Sequence, residues 1–218
     1  FLFCGPTGVG KTELARQVAD ILGVSFQRFD MSEYTEAHTV SRLIGSPPGY
    51  VGYDEGGQLT EAIRRAPYSL VLLDEIAKAH PDIYNILLQI MDYATLTDNS
   101  GRKAEFGNVI LIMTSNVGAR EASASSMGFV ETKSSASWRG LQAVQRTFSP
   151  EFRNRLDAIV PFNALTPELM GSIVSYNVTQ LRSRLEQKRV HLDLSPEAEQ
   201  WLAEKGYSPT FGARPLQR

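Results

Sequence analysis

The chain has 218 residues, of which 42% are hydrophobic and 21% are charged. This length and composition suffice for the core of one domain, or of a large domain with a small appendage, and they exclude global disorder. The 22 Lys and Arg residues nearly balance the 24 Asp and Glu residues, and the net charge of −2 argues against a whole surface that binds nucleic acid. Cys4 is the only cysteine, which excludes an intrachain disulfide and a cysteine-based zinc site, and the apolar runs are too short to cross a membrane.

Short apolar runs alternate with helical patterns along most of the chain. The runs are nearly unbroken, as in parallel strands whose two faces are both buried. This alternation predicts an α/β domain with a parallel sheet between helices. The predicted strands cover 1–4, 25–30, 69–74, 109–114 and 158–162, the predicted helices cover 11–22, 32–44, 57–65 and 79–91, and a β-hairpin turn is predicted at 97–101.

The character of the sequence changes near residue 163. A long helical pattern at 167–187 and another at 196–205 flank a predicted strand at 190–194. The chain opens within an apolar strand and closes within a helical pattern, so we expect a piece of a longer protein whose last domain is incomplete. The predicted domains are a large α/β domain at 1–162 and a small, mainly helical domain at 163–218.

A complete phosphate-binding pattern follows the first predicted strand and opens the first predicted helix. Its backbone N–H groups and the positive end of the helix dipole would face phosphate oxygens. Lys11 would supply a cation for the β and γ phosphates, and the Thr12 hydroxyl would bind Mg²⁺. The context makes an ordinary glycine-rich turn the weaker interpretation. The pattern consists of Gly5, Pro6, Thr7, Gly8, Val9, Gly10, Lys11 and Thr12.

Polar residues end two of the predicted core strands. Asp74 and Glu75 follow the apolar run that begins at Leu70, and ligands of open α/β sheets bind at this carboxyl edge. We expect Asp74 to hold Mg²⁺ through water and Glu75 to polarise the attacking water. Helix capping is the ordinary role of such a pair, and the phosphate-binding pattern upstream favours catalysis. Asn116 is a candidate contact for the water and the γ-phosphate if its strand neighbours the first strand.

Together, five motifs in one order closely resemble the second ATPase module of Clp-type AAA+ protein unfoldases. The resemblance covers essentially the whole chain, with the ClpA branch most similar, ClpC next and ClpB third. It implies a P-loop AAA+ large ATPase domain at 1–162 and a small helical domain at 163–218. The motifs are the phosphate-binding pattern at 5–12, Gly49-Tyr50-Val51-Gly52, Leu73-Asp74-Glu75-Ile76, Phe152-Arg153-Asn154-Arg155-Leu156-Asp157 and Gly212-Ala213-Arg214-Pro215-Leu216.

The resemblance also implies cofactors, assembly and roles for the matching residues. The cofactors are ATP and Mg²⁺, and the full-length protein is a homo-hexamer. From spacing alone, Arg155 and Arg214 could be ordinary surface charges. The implied roles are Walker A for Lys11 and Thr12, Walker B for Asp74 and Glu75, sensor 1 for Asn116, an arginine finger that reaches a neighbouring subunit's nucleotide for Arg155, and sensor 2 within its own subunit for Arg214.

A loop with an aromatic residue between glycines indicates the substrate. Tyr50 and Val51 would form a flexible apolar finger that grips many side chains, and the nearby Asp54 and Glu55 would repel a phosphate backbone. From the sequence, a tyrosine packed on its own domain is equally plausible. The resemblance favours a central pore loop that moves unfolded or tagged protein substrates, over a motor on nucleic acid or a scaffold that does not hydrolyse nucleotide.

A Ser- and Ala-rich stretch carries the tripeptide Met127-Gly128-Phe129. Its two large apolar residues would either anchor the stretch to the domain or dock on a partner. In ClpA-like and ClpC-like proteins, a loop of this type docks on a ClpP-type peptidase, and ClpB-like proteins lack it. We therefore expect the ATPase subunit of a cytoplasmic Clp-type protease, with a ClpB-like disaggregase as the alternative, and neither a nucleic-acid nor a membrane partner.

Overall fold

A computed structural model describes residues 1–46, 49, 56–118, 140, 142–208 and 212–217. The chain divides into two compact units, one formed by Phe1–Cys4 with Gly10–Pro161 and the other by Gly5–Val9 with Phe162–Arg218. Over the described residues, no helix combines the length and apolarity that crossing a bilayer requires. The assignment of 1–162 and 163–218 as separate domains stays a prediction.

The first unit is built on a parallel sheet. The described strands are β1 (Leu2–Cys4), β2 (Ser25–Asp30), β3 (Ser69–Asp74), β4 (Thr95–Thr97), β5 (Lys103–Glu105), β6 (Val109–Ser115) and β7 (Ile159–Pro161). Five of them form the parallel sheet, in the order β2-β3-β6-β1-β7. β3 is buried along its whole length between β2 and β6, as its unbroken apolar run predicts. The α/β fold with a parallel sheet between helices is therefore confirmed.

Glycine, histidine and proline residues mark the ends of two helices of this unit. Gly10 and Gly23 flank the first helix with φ angles of 98° and 67°, a conformation that favours glycine. At the start of the fourth helix, the His80 side chain accepts a hydrogen bond from the Asp82 N–H, and Pro81 occupies the first helical position. The helices whose two ends are described are α1 (Lys11–Leu22), α2 (Ala37–Ile44), α3 (Gln58–Arg65), α4 (Pro81–Tyr93) and α5 (Pro150–Asn154), and residues 142–147 are also helical.

The prediction of one continuous helix over 32–44 is wrong. The chain forms a 3-10 turn at Met31–Glu33, and α2 begins only at Ala37. Between them, the Tyr34 carbonyl accepts a hydrogen bond from the His80 N–H at 2.8 Å. This long-range bond uses the carbonyl that a continuous helix would need for its own ladder.

The predicted β-hairpin is confirmed as the antiparallel pair of β4 and β5. Its turn is organised by Asp98, a buried carboxylate that is 4% exposed. Asp98 accepts hydrogen bonds from the backbone N–H groups of Ser100 at 3.0 Å and Arg102 at 2.8 Å, and from the Thr60 hydroxyl at 3.2 Å. The last bond ties the turn to α3.

Three aromatic rings pack α5 against α4. The ring centroid of Phe152 lies 5.2 Å from that of Tyr84, edge to face, and 5.7 Å from that of Phe148, stacked. Both phenylalanines are almost fully buried. This cluster fixes the short α5, which has too few residues to be stable alone.

The second unit contains two longer helices, α6 (Pro167–Glu186) and α7 (Pro196–Lys205). The strand predicted at 190–194 is wrong, because this segment has no regular structure. Its polar backbone groups bond to the end of α6 instead. The Val190 N–H donates to the Leu185 carbonyl at 3.1 Å, and the Leu192 carbonyl accepts from Arg182 Nε at 2.9 Å.

Candidate nucleotide site

The first turn of α1 carries the two polar residues that end the phosphate-binding pattern. Gly10 adopts its left-handed conformation immediately before the helix, and its carbonyl accepts the Leu14 N–H at 2.8 Å. Lys11 and Thr12 are therefore the first two helical residues. The N–H groups of a first turn have no intrahelical acceptor and carry the positive end of the dipole, which suits an anion.

Thr12 lies against the carboxyl end of β3. Its hydroxyl is 3.2 Å from Asp74 Oδ2 and 3.5 Å from Oδ1. Asp74 is the last residue of the buried strand and is itself only 8% exposed. The two residues that the sequence assigns to Mg²⁺ are therefore brought together, although 62 positions separate them.

Two further side chains hold the Asp74 carboxylate. Arg28, on the neighbouring strand β2, donates to Asp74 Oδ2 from Nε at 3.0 Å and from Nη2 at 2.7 Å. The Thr114 hydroxyl, on β6, donates to Oδ1. Both partners come from strands that flank β3, so the sheet itself fixes the orientation of the carboxylate.

Glu75 sits in a backbone conformation that is uncommon for a residue with a side chain. Its φ and ψ angles are 59° and 44°, in the left-handed region. Its N–H donates to the Thr114 hydroxyl at 3.0 Å, and its carboxylate forms an ion pair with Lys78. Such strain costs of order 1–3 kcal/mol and clusters at functional sites. Here it turns the chain sharply between Asp74 and the following 3-10 turn.

Burial and charge oppose each other at Lys11. Desolvation lowers the pKa of its ammonium group, while the nearby Asp74, Cys4 and Glu75 raise it. The same burial raises the pKa of the Cys4 thiol to about 11, which Lys11 only partly counteracts. Lys11 is thus a partly desolvated cation near the acids Asp74 and Glu75, which suits a lysine that binds phosphate.

The oxygen donors at this edge suit magnesium. Mg²⁺ keeps several waters and takes one or two carboxylates together with substrate phosphates, rather than a dense cage of protein ligands. The Thr12 hydroxyl and the Asp74 carboxylate form such a sparse set. Among the described residues, no group of three or more His, Cys, Asp and Glu forms a denser metal cage. The residues present therefore fit a nucleotide-bound Mg²⁺.

Asn116 follows β6 directly and is exposed. β6 pairs in parallel with β1, with Cys4 opposite Ser115. The expectation that the strand of Asn116 neighbours the strand before the phosphate-binding pattern is confirmed. Since β6 also pairs with β3, Asn116 ends at the same edge of the sheet as Asp74.

Arg155 belongs to the first unit and lies at the end of α5. Its Nε donates to Asp92 Oδ1 at 2.5 Å, and its Nη2 donates to Asp92 Oδ2 at 2.9 Å. Nη1 donates to the Glu151 carbonyl at 3.1 Å. Both paired side chains remain partly exposed, at 29% for Arg155 and 35% for Asp92.

The second unit contains the first half of the phosphate-binding pattern, Gly5–Val9, together with the segment that carries Arg214. The Ala213 N–H donates to the Gly8 carbonyl at 3.1 Å. Gly212 has a φ of 56°, and a Cβ there would lie 2.6 Å from the Gly8 carbonyl oxygen. A glycine is therefore required where the chain before Arg214 approaches Gly8. Arg214 itself is exposed.

The remaining site predictions lie outside the described residues. These are the pore-loop residues Tyr50 and Val51 and the docking tripeptide Met127, Gly128 and Phe129.

The chain on the two sides of the predicted pore loop is well anchored. Asn99, in the β4–β5 turn, donates from Nδ2 to the Gly45 carbonyl at 2.6 Å and from its N–H to the Ile44 carbonyl at 3.0 Å. On the far side, a Cβ on Gly57 would lie 2.6 Å from Ile44 Cα. The two ends of the segment therefore approach each other closely.

Sequence reasoning missed three partners of the site residues. Arg28 and Thr114 hold Asp74, and Asp92 holds Arg155. Neither Arg28 nor Asp92 belongs to a recognisable motif. Thr114 carried a usable signal, since it is a polar residue at the end of the apolar strand predicted at 109–114.

The chain matches protein-family models along nearly its whole length. Residues 1–159 match a model described as AAA domain (Cdc48 subfamily). Residues 165–218 match a model described as the C-terminal, D2-small domain of ClpB protein.

Individual relatives agree with the family models. The chain is 56% identical to a ClpA homolog protein of Fuscovulum blasticum and 54% identical to the chaperone protein ClpB of Propionibacterium freudenreichii, with all of this chain aligned. It spans 27% and 25% of their lengths, about a quarter of each relative. The similar identities leave the order of ClpA before ClpB a prediction.

A solved structure shows the same fold. A closed-state cryo-electron microscopy reconstruction of Hsp104 with ATPγS and FITC casein superposes with a TM-score of 0.87 at 42% identity, covering 100% of this chain and 38% of that one. The strand order, the site at the edge of the sheet and the two family models agree. The chain belongs to the AAA domain (Cdc48 subfamily) family, and it is a second AAA+ ATPase module of a Clp/Hsp100 family protein.

Proposed function

We propose that this module binds ATP with Mg²⁺ and uses its hydrolysis to unfold and translocate polypeptide. The approach of the Thr12 hydroxyl to Asp74, at 3.2 Å, is the observation that carries the proposal. It brings a Walker A residue next to a Walker B residue with oxygen donors that suit Mg²⁺. The ion supplies positive charge at the β and γ phosphates when it is bound.

The residues at the edge of the sheet divide the work of hydrolysis. The phosphate-binding segment from Gly5 to Thr12 cradles the phosphates, and Lys11 adds a cation. Glu75 polarises the attacking water as a general base, and Asn116 orients that water. Both side chains follow strands of one parallel sheet, which supports their action at one phosphate.

Two arginines complete the site. In this proposal Arg155 reaches the nucleotide of the neighbouring subunit in a homo-hexamer, and Arg214 acts within its own subunit. The partial exposure of Arg155 at the end of α5 supports the first role. The backbone bond from Ala213 to Gly8 supports the second, because it ties the segment before Arg214 to the phosphate-binding segment. Transferred phosphoryl groups are commonly stabilised by arginines of both kinds.

Polypeptide is the substrate class that the observations favour. The ClpB relatives are named chaperone proteins, and the Hsp104 reconstruction contains a casein. Tyr50 and Val51 are the proposed gripping residues, and Asp54 and Glu55 beside them disfavour nucleic acid. Gly45 and Gly57 lie at the two ends of this loop and are held close to each other. Movement of the domain would therefore be transmitted to Tyr50 and Val51.

The substrate class is tested by replacing Tyr50 with Ala in the full-length protein. Unfolding of a tagged fluorescent substrate should slow severalfold while ATP turnover persists, because only the grip is lost. Tyr68→Ala is the matched control, since Tyr68 is an exposed tyrosine at 67% that lies before β3. Unchanged unfolding, or ATPase stimulation by DNA and not by unfolded protein, would overturn the proposal.

The fate of the polypeptide has two candidates. Delivery to a ClpP-type peptidase is supported by Met127-Gly128-Phe129 and by the ClpA homolog relative. Disaggregation without a peptidase is supported by the match of residues 165–218 to the ClpB D2-small domain. In both cases we place the protein in the cytoplasm, where a reducing environment suits a chain with one buried cysteine.

Replacing Phe129 with Ala separates the two fates. If the tripeptide docks on a peptidase, the variant ring should lose co-sedimentation with the cognate peptidase and degradation of a folded substrate, because each of six docking contacts loses a large apolar side chain. ATP turnover and unfolding by the ring alone should persist. A wild-type protein that neither binds a peptidase nor degrades, and that instead recovers aggregated enzyme, would favour disaggregation.

A further inference from the structure

The guanidinium of Arg155 is held in a two-pronged pair that the proposed function does not use. Nε and Nη2 each donate to a different oxygen of the Asp92 carboxylate, at 2.5 Å and 2.9 Å. This parallel arrangement fixes the plane of the guanidinium as well as its distance, which a single bond would not do. The contact joins the end of α5 to the end of α4 across 63 positions of sequence.

The elements behind the pair are rigid. Phe152, one turn before Arg155, is 1% exposed and packs edge to face on Tyr84 of α4. The Arg155 N–H also donates to the Phe152 carbonyl at 3.2 Å. Since both helices are fixed by the aromatic cluster, the orientation of the Arg155 side chain is decided by its own partners.

The position of Asp92 is unfavourable without the arginine. It lies in the last turn of α4, where the negative end of the helix dipole repels a carboxylate. Arg155 offsets that repulsion and holds the pKa of the Asp92 carboxyl below its usual range through the hydrogen bond between them. The arrangement therefore keeps the carboxylate charged and paired.

The pair leaves part of the guanidinium available. A guanidinium has five N–H donors in a fixed plane. Nε and Nη2 use one edge on Asp92, while Nη1 donates to the Glu151 carbonyl with one of its two N–H groups. The edge away from Asp92 keeps the second Nη1 N–H, and the Glu151 carboxylate, on a side chain that is 62% exposed, lies 3.4 Å from Nη2. By contrast, Arg153 in the same helix turns its Nε onto the Phe148 carbonyl at 3.1 Å.

We propose that Asp92 is a positioning residue for Arg155, holding one edge of its guanidinium so that the other edge faces the nucleotide of a neighbouring subunit. This inference rests on the proposed action of Arg155 across a subunit interface. Asp92 touches no phosphate itself. Its contribution is to restrict the conformations of the long Arg155 side chain before the ring assembles, so that less conformational entropy is lost in the transition state.

The test uses the full-length protein with its first ATPase module inactivated. Asp92→Ala and Asp92→Asn should lower kcat by about 10- to 100-fold with little change in KM, the scale of a misplaced catalytic group. Asp92→Glu, which keeps the charge, should recover part of the loss. Asp82→Ala, which removes the same charge from the first turn of the same helix, should leave turnover unchanged. Ring size is checked for every variant by sedimentation.

Two readouts separate positioning from a general structural role. In an Arg155→Ala background, Asp92→Ala should cause no further loss of turnover, because the group it positions is already absent. The Asp92 variants should also lose affinity for ADP with aluminium fluoride, a mimic of the transferred phosphoryl group, while affinity for ADP alone is kept. Independent losses in the double variant, or equal losses for both ligands, would overturn the inference.

Mixed rings distinguish failure of this inference from failure of the proposed function. Arg155→Ala subunits mixed with Lys11→Ala subunits should regain hydrolysis, and so should Asp92→Ala mixed with Lys11→Ala. Asp92→Ala mixed with Arg155→Ala should not. No recovery in the first mixture, despite proven mixing, would overturn the role of Arg155 and the inference with it. If the first mixture recovers hydrolysis but Asp92→Ala alone has wild-type turnover, only the inference about Asp92 is overturned. Loss of the hexameric ring in every Asp92 variant would overturn it as well.

Discussion

The Thr114 hydroxyl links the two acids at the end of β3: it donates to the Asp74 carboxylate and accepts the Glu75 N–H at 3.0 Å. One side chain on β6 thus orients a carboxylate and holds the left-handed turn of the next residue. Because Thr114 is 1% exposed, water cannot replace either bond. The geometry of both acids depends on this residue.

Replacing Thr114 with Val should therefore damage the site while keeping its shape. The substitution removes the acceptor of the part-buried Glu75 N–H and one donor to Asp74 Oδ1, and should lower the free energy of unfolding by about 1–3 kcal/mol. ATP turnover should fall by roughly 10- to 100-fold, as for other residues that orient a metal ligand. Thr114→Ser keeps the hydroxyl and should retain most activity. Equal turnover for the Val and Ser variants would contradict this role.

Asp98, whose side chain is buried, should stabilise the hairpin turn through its three hydrogen bonds. Asp98→Ala removes the acceptor of all three bonds and should lower the free energy of unfolding by about 1–3 kcal/mol. Asp98→Asn keeps one carbonyl oxygen for the two backbone N–H groups and should cost less. Hydrogen exchange should show faster exchange at Ser100 and Arg102 in the Ala variant. Unchanged exchange at these amides would show that the carboxylate does not hold the turn.

The Cys4 thiol should be unreactive in the folded chain. Burial raises its pKa from 9.0 to about 11, so the fold favours the neutral thiol over the reactive thiolate. The raised pKa of Cys4 contributes to the free energy of unfolding below about pH 9, and this contribution is lost as the pH rises toward 11. At pH 8, iodoacetamide should modify Cys4 about 100-fold more slowly in the folded protein than in urea, measured by mass spectrometry of the Cys4 peptide. Similar rates in both states would contradict the shift.

The backbone of the fold could be predicted from local patterns. The strand that ends at Asp74 is an apolar run buried on both faces, and the start of α1 is set by Gly10 before Lys11. These features depend on neighbouring residues alone. The strand predicted at 190–194 failed because the Leu192 carbonyl is taken by a side chain, Arg182, that no local pattern reveals.

The partners of the site residues could not be predicted in the same way. Arg28 reaches Asp74 because β2 lies beside β3 in the sheet, and Asp92 meets Arg155 because α5 packs on α4. The helix α5 has no predicted counterpart, because its five residues give too short a pattern. Long-range pairs of charged side chains have no periodic signature in the sequence. They appear only when the packing of the elements is known.

Replacement of Glu75 separates ATP binding at this site from ATP hydrolysis. Glu75→Gln keeps the size of the side chain and removes its capacity to act as a base. In the full-length protein with an inactivated first module, the measurement is the ATP turnover of the second module beside its affinity for ATP. We expect ATP affinity to be retained and turnover to fall by roughly 100-fold or more, with unfolding of a tagged substrate lost in parallel. Turnover like that of the wild type would contradict the role of Glu75 and the site built around it.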